Sequence, residues 1–141
     1  MKQFKMLILV SLFFIGLNIL AQKPDNIIGK YHLPNKLDIE IYKTGDHKYN
    51  GKIIALNGFE DGQKTDINND DKTKRNTPLV GLVIIKGLEY CMEEKQWING
   101  KIYSPDRGMT LNLKVTEIRE KEIEVVGSKY FFWRTLVWKI I

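Results

Sequence analysis

Asp66, Asn68 and Asp70 stand at every second position in the most polar stretch of the chain, Asp66-Ile-Asn-Asn-Asp-Asp-Lys-Thr-Lys-Arg-Asn-Thr-Pro-Leu-Val-Gly-Leu82. Three oxygen donors at that spacing match the first half of a calcium-binding loop. The second half is missing. Asp71 takes the place of the glycine that makes the sharp turn, and Thr77 the place of the bidentate glutamate. The same residues suit a second role. Asp and Asn side chains accept from backbone N–H groups close by in the chain, and Arg75 carries a fork that bridges carboxylates. A polar loop ordered in that way would offer Asn68 and Arg75 to a ligand head group or a partner.

Other reactive residues are scattered. Cys91 is the single cysteine, so no disulfide forms within the chain, and it reads as a small half-buried hydrophobe. His32 and His47 have no spacing relation to it and make no zinc site on their own. Ser104 and Ser128 lie in turn-like segments without a histidine partner. Glu93 and Glu94 are adjacent, so a strand would point them to opposite faces. No glycine-rich phosphate loop is present. Asp106-Arg107 reads as turn structure. These absences favour a non-enzymatic protein with no catalytic residues, no metal and no cofactor. Lys72, Lys74 and Arg75 form a basic cluster, but Asp70 and Asp71 precede it and no aromatics interleave. It reads as a solvated loop and gives no reason to expect a nucleic acid.

Aromatic residues crowd the end of the chain, at Tyr130, Phe131, Phe132, Trp133 and Trp138. A strand buries only alternate residues, so two of Tyr130 to Trp133 should face outward or toward an opening. The plain alternative is a hairpin tip packed on a neighbouring loop. Tyr103 and Trp133 join Asp66, Asn68, Asp70 and Arg75 as candidate contacts for a ligand or partner.

The elements that must position these residues are short and alternating. The chain has 141 residues, 22 Lys and Arg against 17 Asp and Glu, and a formal charge of +5. Residues 1–21 read apart from the rest. Lys2 and Lys5 precede an apolar run from Met6 to Leu20, and Ala21 is a small residue at a cleavage point. This is the pattern of a secretory signal peptide, with an uncleaved anchor as its rival. The expected mature chain is residues 22–141, one domain, periplasmic or secreted, with no membrane-spanning segment left. Within it Leu37 to Lys43 alternates cleanly, Lys48 to Leu56 pairs with it across Thr44-Gly45-Asp46-His47, and Met109 to Glu117 alternates again. Strands are also expected at Ile27 to Leu33, Leu79 to Ile85, Leu88 to Met92, Gln96 to Tyr103, Glu122 to Val126 and Tyr130 to Ile141. Turns are expected at Lys86-Gly87 and Gly127-Ser128. No amphipathic helix appears. About eight short strands joined mostly by short turns predict an all-β, single, antiparallel up-and-down barrel, since closure leaves no edge. The expected core is Leu37, Ile39, Ile41, Ile53, Leu111, Leu113, Val115, Ile123 and Val125. Residues 57–78 are the one long connection.

Several pieces in order resemble the small secreted bacterial family known as domain of unknown function 2147. They are Gly29-Lys-Tyr31, Ile39-Glu-Ile-Tyr42, Gly51-Lys-Ile53, Asp66-Ile-Asn-Asn-Asp70, Arg75, Pro78-Leu79, Gly81-Leu82, Trp97, Gly100-Lys-Ile-Tyr103-Ser-Pro105, Gly108 and Trp138. The resemblance implies a lipocalin-like (calycin) barrel outside the cytoplasm and implies no activity. It also implies an aromatic on the first strand, here Tyr31, packed on a basic residue of the last strand, Arg134 or Lys139. Many relatives look like they carry a cysteine pair in the first hairpin, and here Thr44 and Asn50 stand at about those places. The expected function is binding of a small apolar molecule in or at the mouth of the barrel. The alternative is a structural or interaction module of the cell envelope that uses loop 57–78.

Overall fold

Alternation along each strand decides which side chains enter the interior. In the computed structural model, which describes residues 22–141, the strands are β1 (Gly29–His32), β2 (Asp38–Gly45), β3 (Lys48–Ala55), β4 (Val83–Cys91), β5 (Gln96–Ser104), β6 (Met109–Ile118), β7 (Glu122–Lys129) and β8 (Phe132–Ile140). Each pairs antiparallel with the next, and β8 returns to β1, so the barrel is closed. Tyr31 lies opposite Ile140 and His32 opposite Lys139 at that seam. Of the expected core, Leu37, Ile39, Ile41, Ile53, Leu113, Val115, Ile123 and Val125 are buried. Leu111 is the exception. It is half-buried because it faces an open part of the interior.

Three expected boundaries move. Lys86-Gly87 lies inside β4, which runs through as one strand. Gly87 takes φ of 74° there, and its N–H donates to Asn50 Oδ1 at 3.0 Å, so the glycine makes a local irregularity. Gly127-Ser128 also stays inside a strand, opposite Arg134 and Trp133. The turn comes two residues later, at Tyr130 and Phe131. Leu79 to Leu82 is the end of the long connection rather than a strand. Leu79 is fully buried and Gly81 adopts φ of 91°, which breaks the alternation before β4 begins.

One end of the barrel is plugged by the chain that leads into it. Pro24–Ile27 forms a short 3-10 turn and drives Ile27 into the core. Four interior aromatics bond to this lead-in. Tyr31 donates to the Ile27 carbonyl at 2.6 Å, and Tyr49 to Asp25 Oδ1 at 2.7 Å. Tyr90 donates to the Gln22 carbonyl at 2.7 Å, and Trp97 Nε1 to the Pro24 carbonyl at 2.9 Å. Tyr90 and Trp97 meet edge to face at 5.1 Å. The Gln22 side chain accepts from the Ile118 N–H and donates to the Lys95 carbonyl. A large aromatic brings about 150–250 Å² of surface, but its polar end costs about 1–3 kcal/mol if buried without a partner. The lead-in supplies those partners. This corrects the expected packing of Tyr31. Lys139 is an exposed residue across from His32, and Arg134 lines the opposite end of the barrel, so neither is the partner of Tyr31.

The interior also depends on a missing side chain. A Cβ at Gly100 would come within 2.6 Å of Leu88 Cδ2 and 2.9 Å of the Leu113 carbonyl oxygen. Leu88, fully buried, takes that space.

Burial pushes the Tyr31 hydroxyl up to about 12. Burial and then the Asp25 bond push Tyr49 upward as well. An unfolded tyrosine ionises near about 10. The native state therefore holds protons that the unfolded state loses, and stability, complete below about pH 10, falls as pH rises toward the native values. Equilibrium urea unfolding from pH 8 to 11.5 should show a falling midpoint above about pH 10. Tyr31→Phe and Tyr49→Phe together should make that fall shallower, leaving the part due to Tyr90 and Tyr103.

Candidate functional site

The barrel's other end is open. Its rim is made by the connections 33–37, 56–82, 105–108 and 130–131. Below the rim lies a cavity of about 870 Å³, within the range of pockets that hold small molecules. Ile102, Leu111, Leu113, Val125, Leu136 and Trp138 line its depth. Phe132, Arg134, Leu136 and Trp138 alternate along β8, and all four line the cavity. Arg107, Lys129 and Arg134 bring positive charge to the mouth, with Asp106 as the acid among them. The floor is apolar and the rim is polar and basic.

The long connection folds back as a small two-armed loop. The Asp66 N–H donates to the Thr77 carbonyl at 2.9 Å and the Leu79 N–H to the Lys64 carbonyl at 3.0 Å. Phe59 and Leu79 anchor its ends in the core. Asp66 is 2% exposed, the one charged residue among the buried ones described. Its Oδ1 accepts from the Tyr103 hydroxyl at 2.7 Å, and its Oδ2 from the Asn69 amide at 2.7 Å. Asn68 reaches the next connection, donating to the Pro105 and Asp106 carbonyls, both at 3.1 Å. Gly108 makes that approach possible. A Cβ there would lie 1.9 Å from the Asn68 carbonyl oxygen, and Gly108 has φ of 66°.

The expected site residues therefore divide. Asp66, Asn68 and Tyr103 meet in a latch that holds the loop to β5 and its turn. Arg75 joins through the backbone, donating from Nε to the Asn69 carbonyl at 2.8 Å, rather than bridging carboxylates. Asp70 is exposed on the loop. Trp133 lies on the far side of the mouth, 75% exposed. Tyr103 belongs to both groups, since it also lines the cavity. Asp66, Asn68 and Asp70 do not converge on one point, because the first faces Tyr103, the second faces the 105–108 turn and the third faces solvent. Asp71 caps the short turn Lys72–Lys74, accepting from the Thr73 N–H at 3.0 Å, and its bonds to Thr73 hold its carboxyl below the usual carboxylate range. Among the described residues no group of three or more His, Cys, Asp or Glu is placed to hold a metal.

Sequence reasoning missed Arg107, Lys129 and Arg134 as mouth residues. A signal existed for Arg134. It shares parity with Trp138, and a core tryptophan fixes the inward face of its strand.

Burial and the Asp66 carboxylate raise the ionisation of Tyr103 above the ordinary tyrosine value. The bond is thus donated by a neutral phenol at any physiological pH. Tyr103→Phe should leave Asp66 buried with one acceptor unmet, a cost of about 1–3 kcal/mol. Hydrogen exchange should show amides from Asn68 to Thr77 exchanging about tenfold faster or more in the variant, while β6 and β7 stay protected. Equal protection in both proteins would mean that Tyr103 does not hold the loop.

The geometry has parallels in known proteins. A solved structure described as protein HP1028 from the human pathogen Helicobacter pylori, belonging to the lipocalin family, superposes with a TM-score of 0.70 at 21% identity, over 82% of this chain and 83% of that one. At that identity the likeness concerns the fold, which is a lipocalin-like barrel. No curated protein matches the chain. The family described as "Uncharacterized protein conserved in bacteria (DUF2147)" matches residues 29–139. That span runs from the first strand of the barrel into the last, and the chain belongs to this family.

Proposed function

We propose that this protein is exported and non-enzymatic, and that it holds one small apolar molecule in the barrel. One observation carries the reading: a cavity of about 870 Å³ with an apolar floor, open at the loop end while the lead-in fills the other. Eight strands enclose space either for side chains or for one small ligand. Here the aromatics fill the lower part, and Leu111 and Leu136 are left half-buried above them. Transfer of a ligand's apolar surface from water would contribute about 25 cal/mol per Å². Export rests on the pattern of residues 1–21, which lie outside the described residues.

A second reading uses loop 57–78 as a contact surface for an envelope component. Ile67 is 59% exposed on that loop, and a crevice between the loop and strands β4 to β6 is lined by Lys74, Lys86 and Lys101 together with Asp66. The latch works against it in part, since the Asn68 amide and Arg75 Nε already have partners within the protein.

Two measurements test the leading reading. Titration with the apolar fluorophore N-phenyl-1-naphthylamine should show saturable binding, and Leu136→Trp should weaken it about tenfold or more by filling the cavity. An unchanged affinity in that variant, or no binding by the parent protein, would remove the cavity as the site. N-terminal sequencing of the protein recovered from the cell envelope should begin at Gln22. An intact Met1 would argue against export through a cleaved leader.

A further inference from the structure

Tyr130, Phe131, Phe132 and Trp133 are 88%, 89%, 81% and 75% exposed, more than any other large hydrophobic residue described. They form the tip of the β7–β8 hairpin. Lys129 pairs with Phe132 and Ser128 with Trp133, so Tyr130 and Phe131 are the whole turn. Tyr130 has φ of 55°. Glycine takes such a position in a two-residue turn without strain, and a bulky residue does not. The turn thus places a bulky residue, Tyr130, where glycine would turn freely, and the barrel buries neither it nor Phe131. Their side chains are usable only by something outside the chain.

We propose that this tip inserts into the interface of a lipid bilayer carrying anionic lipids. The choice of a bilayer follows from shape and charge. Phe132 and Trp133 are successive strand residues on opposite faces of β8, and Tyr130 and Phe131 form the turn beyond them. All four are exposed, with Tyr130, Phe132 and Trp133 at the border of the cavity mouth. A rigid protein partner would have to enclose a projecting hairpin from both sides. A fluid interface surrounds it without a preformed socket. The residue types fit the depth profile of that interface, with Phe131 at the apex and Tyr130 and Trp133 carrying polar groups that sit at headgroup level. Lys129 and Arg134 flank the tip on its two strands, and Arg107 stands on the same mouth. Lys129 Nζ lies 5.8 Å from the centre of the Tyr130 ring. Among the residues that line the mouth the acid is Asp106, which accepts from Ser104 and lies 3.9 Å from Arg107. The mouth keeps an excess of positive charge, which anionic headgroups complement. The docking stands whether or not the cavity holds a ligand. If it does, the tip sets the cavity mouth against the hydrocarbon.

Tryptophan fluorescence with vesicles is the test, because Trp97 and Trp138 are 0% and 2% exposed and only Trp133 can meet lipid. Vesicles of phosphatidylcholine with phosphatidylglycerol should shift the emission to the blue. Brominated acyl chains should quench it, and the Trp133→Phe variant should lack the quenched component. An apolar leader that binds vesicles on its own does not produce this signal. Phe131→Ser with Trp133→Ser should weaken sedimentation with the mixed vesicles about tenfold or more. Lys129→Gln with Arg134→Gln should abolish the preference over phosphatidylcholine alone. These exposed sites should leave the thermal midpoint unchanged, and Trp133→Phe serves as the conservative control if the serine pair lowers it. Absence of vesicle-dependent quenching at Trp133 overturns the proposal. So does a dimer in sedimentation equilibrium that dissociates in Phe131→Ser, which would make the tip a surface for a second copy.

Discussion

The bonds from Tyr31, Tyr49, Tyr90 and Trp97 to residues 22–27 set the polarity of the whole barrel. A closed sheet by itself has two equivalent openings. Here one is filled by large rings, and each ring's polar atom is met by a carbonyl or carboxylate of the lead-in. Rings of this size bury well only if the polar end is satisfied. The lead-in is therefore part of the core although it belongs to no strand. Above it the filling thins, from Trp97 through Leu113 and Val125 to half-buried Leu111 and Leu136, and then to Gly127, which has no side chain to offer. The cavity is what remains when bulk is concentrated at one end.

The long loop obeys the opposite logic. Its backbone is polar and mostly exposed, and fixing each residue costs about 1–2 kcal/mol of entropy. Apolar burial offsets little of this, since among the described residues of the loop only Phe59 and Leu79 are large, fully buried side chains. Hydrogen bonds at about 0.5–1.5 kcal/mol each must contribute the rest. Asp66 is central because it is buried and accepts from both the loop itself and β5. A charged carboxylate in that position is tolerable only while its donors stay in place.

Legibility in the sequence followed the range of the interaction. Period two in Leu37 to Ile41 and Leu111 to Val115 reports a local fact, the face of a strand, and it placed the core and the barrel. Turn chemistry is also local, but it misled twice. Gly87 and Gly127 carry the residue type of turns, yet Gly127 is paired with Arg134 on β8, and Gly87 is an irregularity within β4 whose N–H is met by the Asn50 side chain. The actual turn at Tyr130 and Phe131 has no turn signal at all. The plug was illegible for another reason. Trp97 and Pro24 are 73 positions apart, and Tyr90 and Gln22 are 68 apart. No spacing rule connects residues brought together only by closure. The loop residues were recognisable as backbone-bonding types, but which groups they would meet depended on the Gly108 turn, again far along the chain.

Aromatic residues show how the two ends differ in kind. At the plugged end the four interior rings, Tyr31, Tyr49, Tyr90 and Trp97, are buried and each polar atom has a partner, so these residues contribute to folding and are unavailable to anything else. At the open end four rings in succession are exposed, and one of them, Tyr130, holds a turn conformation that aromatic side chains disfavour. Stability and outward contact are thus assigned to opposite poles of one barrel, with a band of aliphatic residues between them. Changes at the mouth should be felt weakly by the fold, because few buried contacts are made there. Anything that enters the interior must also pass the same rim, since the other route is blocked by Ile27 and the rings around it. Cavity, basic rim and exposed tip therefore share a single opening, and a surface that meets the tip also meets the entrance.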